Sequence, residues 1–572
     1  MKLHKLSLGL GLLGLAVSAH AAVNYVGAVG GDVTTVINLN PLSINGVAKT
    51  EAQLEAAYGG DYSEATGSEP ATWYWAAADT FILEEIVFIT GGNLYIEAGS
   101  VVRGQPNDGS FNPGTLAIAR GAKLLAPGDS SAPIIFTSAT TSAPSSNSSG
   151  AGVTRASGQT PSFWDSDPLG APKTPLMGNT WGGIIICGNA PTNSDRDGAG
   201  QQDYFDVTGN TAAMSNGGAV SGNRTVSNDD RFSIEGIPTS SAAFTGGYDR
   251  FGGFNASDNS GVLTYLSIRH GGANLTANNE INGLTMGGVG LGTTVNNIEI
   301  WGNTDDGVEL FGGNVNLKNI AIFGVQDDGL DLDTGYHGTV QFLLVVGGSS
   351  TDKLGEWDGS YQSETTINSA SYTNGPVTIT RTPFANFTIA NATLVGNSNG
   401  TKSSSLDIND QASPRVLNSI IVNPGVFGSA GPIEIDNTAT DVYSTTSNFL
   451  QGRAYFKGVT FSSSTYNTAT LLFANGSSDS SIRTEVSKAA YANDFSDSVG
   501  FVNVPTGGAL NANLEFDPRP VSISEGQYLE EAFVGVNSGY VSPGYRGAFD
   551  PALANLWTAD WTAADAYGLI VK

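Results

Sequence analysis

Cysteine is nearly missing from this chain of 572 residues: Cys187 stands alone, so no intrachain disulfide braces the fold. It sits in the apolar run Ile184-Ile185-Ile186-Cys187-Gly188 with no His near it, which points to a buried, inert thiol and not a nucleophile. Positive charge is also short, with 25 Lys and Arg against 53 Asp and Glu and a formal net charge of −28. That balance disfavours nucleic acid and anionic membrane surfaces as partners and favours divalent cations or basic surfaces. No run beyond residue 21 approaches the roughly 18 consecutive apolar residues of a membrane span, so no transmembrane segment is expected. What abounds is glycine, 75 residues, together with Ser, Thr and Asn, while only 14% of residues are charged. Such a composition fits turn-rich β structure and not helices, and stability must then come from stacking.

The first residues read as a targeting signal. Lys2 and Lys5 give a positive start, Leu6 to Val17 an apolar run, and Ala19-His20-Ala21 a small-residue cleavage site. Residues 1–21 are expected to be removed, taking the formal charge from −28 to −28 − 2 = −30. No Cys follows the cleavage site, so a lipid anchor is not expected. The chain is expected to be exported and to reside in the extracellular space or at the cell surface, with the periplasm as the alternative.

The centre of the chain contains one pattern written twice. Asn297-Ile298-Glu299-Ile300-Trp301-Gly302-Asn303-Thr304-Asp305-Asp306-Gly307-Val308-Glu309-Leu310 is followed, 319 − 297 = 22 residues on, by Asn319-Ile320-Ala321-Ile322-Phe323-Gly324-Val325-Gln326-Asp327-Asp328-Gly329-Leu330-Asp331-Leu332. Another 22 residues on, the apolar alternation is read as returning at Phe342, Leu344 and Val346. A repeat of about twenty residues with two short alternating strands and no helix is the signature of a solenoid of parallel strands. Ile298, Ile300, Val308 and Leu310 are expected inside, stacked on Ile320, Ile322, Leu330 and Leu332 about 4.8 Å away. The same register places Asp305 over Asp327, Asp306 over Asp328 and Glu309 over Asp331, with Asp333 beside them. Like charges on neighbouring strands are destabilising unless something neutralises them.

Around this centre, residues 22–80 read as an N-terminal entry segment, with the one short helix of that segment at Ala52–Tyr58 and an aromatic cluster at Trp73-Tyr74-Trp75. Residues 81–440 read as the solenoid, interrupted by loop insertions at 138–177, 193–228 and 360–376. Residues 441–572 read as the last coils and an aromatic C-terminal cap.

Asn93–Gly104, Gly114–Ala139 and Trp181-Gly182-Gly183-Ile184-Ile185-Ile186-Cys187-Gly188-Asn189-Ala190-Pro191 resemble the opening coils of secreted right-handed parallel β-helix proteins of the pectin-lyase-like superfamily, and of an uncharacterised bacterial group within it. Ser260–Arg269 and Glu280–Leu284 continue the resemblance, which covers most of residues 80–440. It implies an all-β, right-handed parallel β-helix solenoid with terminal caps and long loop insertions. It implies export, and carries no activity.

Three readings compete for the acids. As Asp-Gly corners they are turn residues that bond backbone. As oxygen ligands from adjacent coils, Asp305, Asp306, Glu309, Asp327, Asp328, Asp331 and Asp333 suit a hard cation, Ca²⁺. The third reading rests on similarity to polygalacturonase motifs in Gly302–Gly307, Val325–Gly329 and Tyr336-His337-Gly338, which implies catalytic roles for Asp305, Asp327 and Asp328. His337, however, follows Asp328 by only 9 residues and no Arg-Ile-Lys motif comes after it, both departures from that family. Arg269 is expected beside Trp301, one coil before the acids, where it would either pair with one of those carboxylates as a structural residue or bind a uronate or act as the base of a lyase; His337, which also reads as a surface or turn residue, completes the catalytic candidates. The expected function is an exported, calcium-stabilised binding or structural protein, adhesin-like, with extracellular polysaccharide or cell-surface components as partners. The alternative is a polysaccharide hydrolase or lyase acting on that face, with Trp301 and Trp357 as aromatic subsites.

Overall fold

One full coil accounts for the 22-residue offset. In the computed structural model Ile298 and Ile300 pair in parallel with Ile320 and Ile322, and Val308, Glu309 and Leu310 pair with Leu330, Asp331 and Leu332. The structure describes residues 22–27, 34–107, 112–140, 178–193, 232–359, 385–435, 444–521 and 540–572; the ranges 232–359, 385–435 and 444–521 are each described less a few short stretches. The expected signal segment and nearly all of the three expected insertions lie outside these residues. Among the described residues the strands form one sheet of nineteen and one of twelve, with a separate antiparallel pair at Phe232–Ser233 and Arg250–Phe251, and the two large sheets make the solenoid. Both are parallel apart from short antiparallel pairings near the N-terminal end. The molecule is thus an all-β parallel β-helix.

Alternation sets what faces inward. Leu116, Ile184, Leu284, Val308 and Leu330 stack down the twelve-stranded sheet, each with no measurable exposure, and join one continuous apolar core. The longer sheet bends along a column of residues with left-handed backbone: Tyr265 (φ 51°), Asn297 (57°), Asn319 (56°), Phe342 (59°), Asn391 (51°), Asn418 (44°) and Gly458 (67°). Asparagine recurs because it tolerates this conformation and bonds locally. Asn319 Nδ2 donates to Asn297 Oδ1 at 3.3 Å and to Asn296 Oδ1 at 3.2 Å. The bend splits the long sheet into two faces, so each central coil has three.

One expectation is corrected here. Leu343 and Val345 stack on Ile320 and Ile322, while Phe342 takes the corner and Leu344 and Val346 point outward. This coil is one residue longer than the repeat, and its outward face is as apolar as its inward one, so alternation carried no phase.

The outward face of the long sheet is apolar because the C-terminal segment covers it. Phe549, Ala563, Ala564 and Leu569 form a buried cluster with Trp301, Phe323, Leu344 and Val346. Beneath it, Glu299 accepts backbone N–H groups of Ala563 (2.8 Å) and Ala564 (2.9 Å) at the start of the short helix Ala563–Ala566, and the Ser267 hydroxyl at 2.5 Å. The described contacts of residues 540–572 therefore run lengthways along the flank, from Tyr265 to Thr460, where the sequence suggested a cap over the last coil. The core beyond Ile433–Ile435 is closed by Phe449, Phe473, Ile482 and Val486 from three short helices, Thr445–Leu450, Ala469–Leu472 and Ser480–Val486.

At the other end the helix Glu51–Tyr58 starts with a reciprocal cap between Thr50 and Gln53 and buries Leu54 and Tyr58. Trp73, Trp75 and Phe81 pack in sequence behind Tyr58. No described helix is long and apolar enough to cross a membrane. Cys187 is wholly buried, and burial, with Asp249 nearby, pushes its thiol well up.

The corner column makes a direct prediction. Asn319→Ala is expected to destabilise by about 1–2 kcal/mol, the cost of a left-handed Cβ without a compensating bond. Asn319→Gly is expected to cost less. Urea midpoints of the two variants check this, and equal losses would refute the backbone explanation.

Candidate functional site

The outward residues of the twelve-stranded sheet form columns, and one changes character along its length. It reads Val36, Phe88, Ala117, Ile185, Thr285, Glu309, Asp331, Glu356, Asp407, Glu434. The apolar half is buried with Ile234, Ile237 and Phe251, which cross over it. The last five positions are all carboxylates, one per coil.

A second column begins in the turn that enters each strand. Asp306 lies against Asp328, which pairs with Lys353. Each carboxylate is tied to the backbone of the following coil: Asp328 N–H donates to Asp306 Oδ1 and Lys353 N–H to Asp328 Oδ1, both at 2.8 Å. One coil earlier Asn282 plays the same part, accepting the Asp306 N–H at 3.1 Å while its amide donates to Glu309. The turn reading of these Asp residues thus holds in an unexpected form, because they bond the next coil's backbone and not their own. The glycine after each Asp pair is required by close approach. A Cβ at Gly307 would lie 2.6 Å from Gly329 O, and one at Gly329 2.6 Å from Leu354 O.

The two columns and the turn residues Asp305 and Asp327 make three overlapping groups in which carboxylate oxygens all lie within 4.8 Å of one another: Asp305, Asp306 and Asp327; Asp306, Glu309 and Asp331; Asp327, Asp328 and Asp352. Six of the seven residues expected to hold a metal are in these groups. Asp333 is not; it stands one position beyond Leu332, and Asp352 takes a place that was not foreseen. Counter-charge among the described residues comes from Lys353, whose Nζ is 3.5 Å from Asp328 Oδ2 and 2.9 Å from Glu356 Oε1.

Crowding shows in the proton affinities. Burial first, then Glu235, Asp327 and Glu280, pushes Asp305 up to about 8. Burial followed by neighbouring carboxylates holds Asp306, Glu309, Asp328 and Asp331 well above the usual range. The effect spreads outward, with Glu235 and Asp407 at about 7, Asp333 at about 6 and Asp358 at about 9. Burial acts upward on Glu356 too, but a hydrogen bond with Asp328 and the charge of Lys353 bring it below its ordinary value.

The remaining candidates lie elsewhere. Arg269 stacks on Trp301 as expected, yet it is 1% exposed on the long sheet, with Nε donating to Ser267 Oγ at 2.8 Å and its charge facing Glu299. Trp301 is sealed under the C-terminal segment and Trp357 points into the core against Phe387. Neither lines a groove. His337 contacts Gly335 O at 3.0 Å, and burial lowers its pKa. Sequence reasoning missed Glu356 as a rung; it sets Leu406-Asp407-Ile408 and Ile433-Glu434-Ile435 one coil apart, as the structure does, but does not join their acids to the column.

Residues 233–499 match the family model described as a pectate-lyase like beta helix domain. The coils carrying the acids are thus similar to a pectate-lyase-like β-helix domain. No curated protein and no solved structure matches the chain. The match spans the β-helix from Ser233 to Val499 and so includes all five carboxylates of the outer column.

The pH dependence follows with a definite sign. These acids ionise near 4 in the unfolded chain but higher in the fold, so the folded state holds more protons between those limits and loses stability as pH rises. In the presence of a chelator, the thermal midpoint is expected to fall between about pH 5 and about pH 8. Asp305→Asn should flatten that fall; a midpoint that rises over the same interval would contradict the assigned shifts.

Proposed function

We propose that the protein is an exported, extracellular or cell-surface β-helix with a binding or structural role, whose acidic face takes up Ca²⁺. The observation that carries this is the set of three carboxylate groups sharing Asp306 and Asp327. Hard cations take six to eight oxygen ligands, and carboxylates from adjacent coils offer them without help from nitrogen or sulfur. The donor set therefore fits calcium, with Asp305, Asp306, Glu309, Asp327, Asp328 and Asp331 as the holding residues and Asp352 added at one end. Bound calcium would supply positive charge at the point where like charges are forced together. Export is supported by the signal-like residues 1–21, and a role among polysaccharides or cell-surface components by the pectate-lyase-like domain.

The same face supports hydrolysis less well. Inversion needs an acid and a base about 6.5–9.5 Å apart so that a water fits between them. Asp305 and Asp327 belong to a group with oxygens within 4.8 Å, and Arg269, Trp301 and Trp357 are turned away.

Calorimetric titration of the chelator-treated protein tests the reading. Calcium is expected to bind wild type with release of protons at about pH 8. At a hundredfold excess over the dissociation constant it should stabilise the fold by about 2.7 kcal/mol. Asp305→Asn/Asp327→Asn should bind much more weakly while keeping its β-sheet circular dichroism. Absence of heat and of any midpoint shift in wild type would sink the calcium reading.

A further inference from the structure

A second polar site lies at another edge of the solenoid. It is an open cleft of about 540 Å³ lined by Arg120, Asn189, Tyr248, Asn255 and Asp258, with glycines between them. Arg120 follows the strand Thr115–Ile118 and Asn189 follows Ile184–Cys187, so both stand where the chain leaves the twelve-stranded sheet. Asp305, Asp306 and Asp327 stand where it enters that sheet, several coils further on.

The polar groups are held by the backbone around them. Asn255 N–H donates to Asn189 O and Asp258 N–H to Asn255 O, both at 2.9 Å, and the Asn255 side chain accepts Ser257 N–H at 3.2 Å. Asp258 is 8% exposed; its Oδ2 accepts the Ser260 hydroxyl at 2.9 Å, and its carboxylate also accepts the backbone N–H groups of Asn189 and Gly290. The surrounding chain approaches so closely that a Cβ at Gly253 would lie 2.0 Å from Asn189 Oδ1, and one at Gly188 2.7 Å from Asp258 Oδ2. Arg120 is anchored by its Nε, which donates to Arg250 O at 2.7 Å. Tyr248 packs on the apolar cluster below, and a side chain at Gly246 would fall 2.4 Å from its ring, so glycine there leaves the ring at the cleft.

This set has one charge of each sign, two amides that both donate and accept, and one aromatic ring. A phosphate would meet Asp258 and a polyamine would meet Arg120. Hydroxyl groups donate and accept at once, so vicinal hydroxyls answer a mixed lining of this kind. The CH face of a pyranose suits an amphipathic ring such as tyrosine. The volume is within the range of small-molecule sites.

We propose that the cleft binds one or two residues of an uncharged sugar, with Arg120, Asn189 and Asp258 engaging its hydroxyls and Tyr248 flanking its ring. The inference is independent of the calcium reading, since no residue is shared. Saturation-transfer NMR on the intact mature protein, with cellobiose, lactose and maltose as probes and glycine and inorganic phosphate as charged controls, tests it. Transfer to at least one disaccharide is expected, with a dissociation constant raised roughly tenfold or more in Asp258→Asn and in Arg120→Gln, the loss of a hydrogen bond to a charged group. Asp305→Asn/Asp327→Asn should bind the sugar as wild type does. If Asp258→Asn lowers the thermal midpoint, Arg120→Gln, at the rim of the cleft, carries the test. No transfer to any of the three disaccharides, transfer only to glycine or phosphate, or binding unweakened in a folded variant would overturn the proposal.

Discussion

Parallel stacking in register, at about 4.8 Å per coil, obliges each side chain to meet its own equivalent on the next turn of the solenoid. Inside, the rule is favourable everywhere: Val308 meets Leu330, and Ile298 meets Ile320. At the bend it gathers left-handed residues into a column and selects asparagine at four of its seven positions. On the outer face it brings Glu309 to Asp331 and Asp331 to Glu356 whether or not charge permits. The coils have no mechanical escape from this, because a slip of one residue would turn Val308 and Leu310 outward and lose the core. Relief has to be chemical. The structure shows part of it in the backbone N–H groups that serve Asp306 and Asp328, in Lys353, and in proton affinities raised across the face.

How far the sequence was readable depends on whether the two faces of a strand differ. In Asn297–Leu310 and Asn319–Leu332 acids separate most of the inward apolar pairs, as Glu299, Glu309 and Asp331 do, and both the coil and the meeting of Asp306 with Asp328 could be read from the 22-residue offset. At Phe342–Val346 both faces are apolar, and the phase came out one residue wrong. The later rungs were hidden for another reason. Coil length changes from 22 residues to 356 − 331 = 25 and then to 407 − 356 = 51, so no constant offset links Asp331, Glu356 and Asp407. Arg269 shows a third limit. Its neighbour Trp301 was legible from stacking, but its true partner Glu299 is fixed by Ala563 and Ala564, 264 and 265 residues further along, which no local pattern announces.

The outer faces then divide by what can satisfy them. Trp301, Phe323 and Leu344 on the long sheet are apolar, and the chain returns at its C-terminal end to bury them. Phe88, Ala117 and Ile185 on the shorter sheet are apolar, and Ile234, Ile237 and Phe251 cross over them. From Glu309 onward the same column carries only carboxylates, for which apolar cover would be costly. These residues contribute nothing to the core, and each added rung increases the repulsion that the fold must bear. The core does not require this column of five acids, because the inward residues between the rungs would stack equally well with serine or threonine outside, as Thr285 does one coil before the first acid.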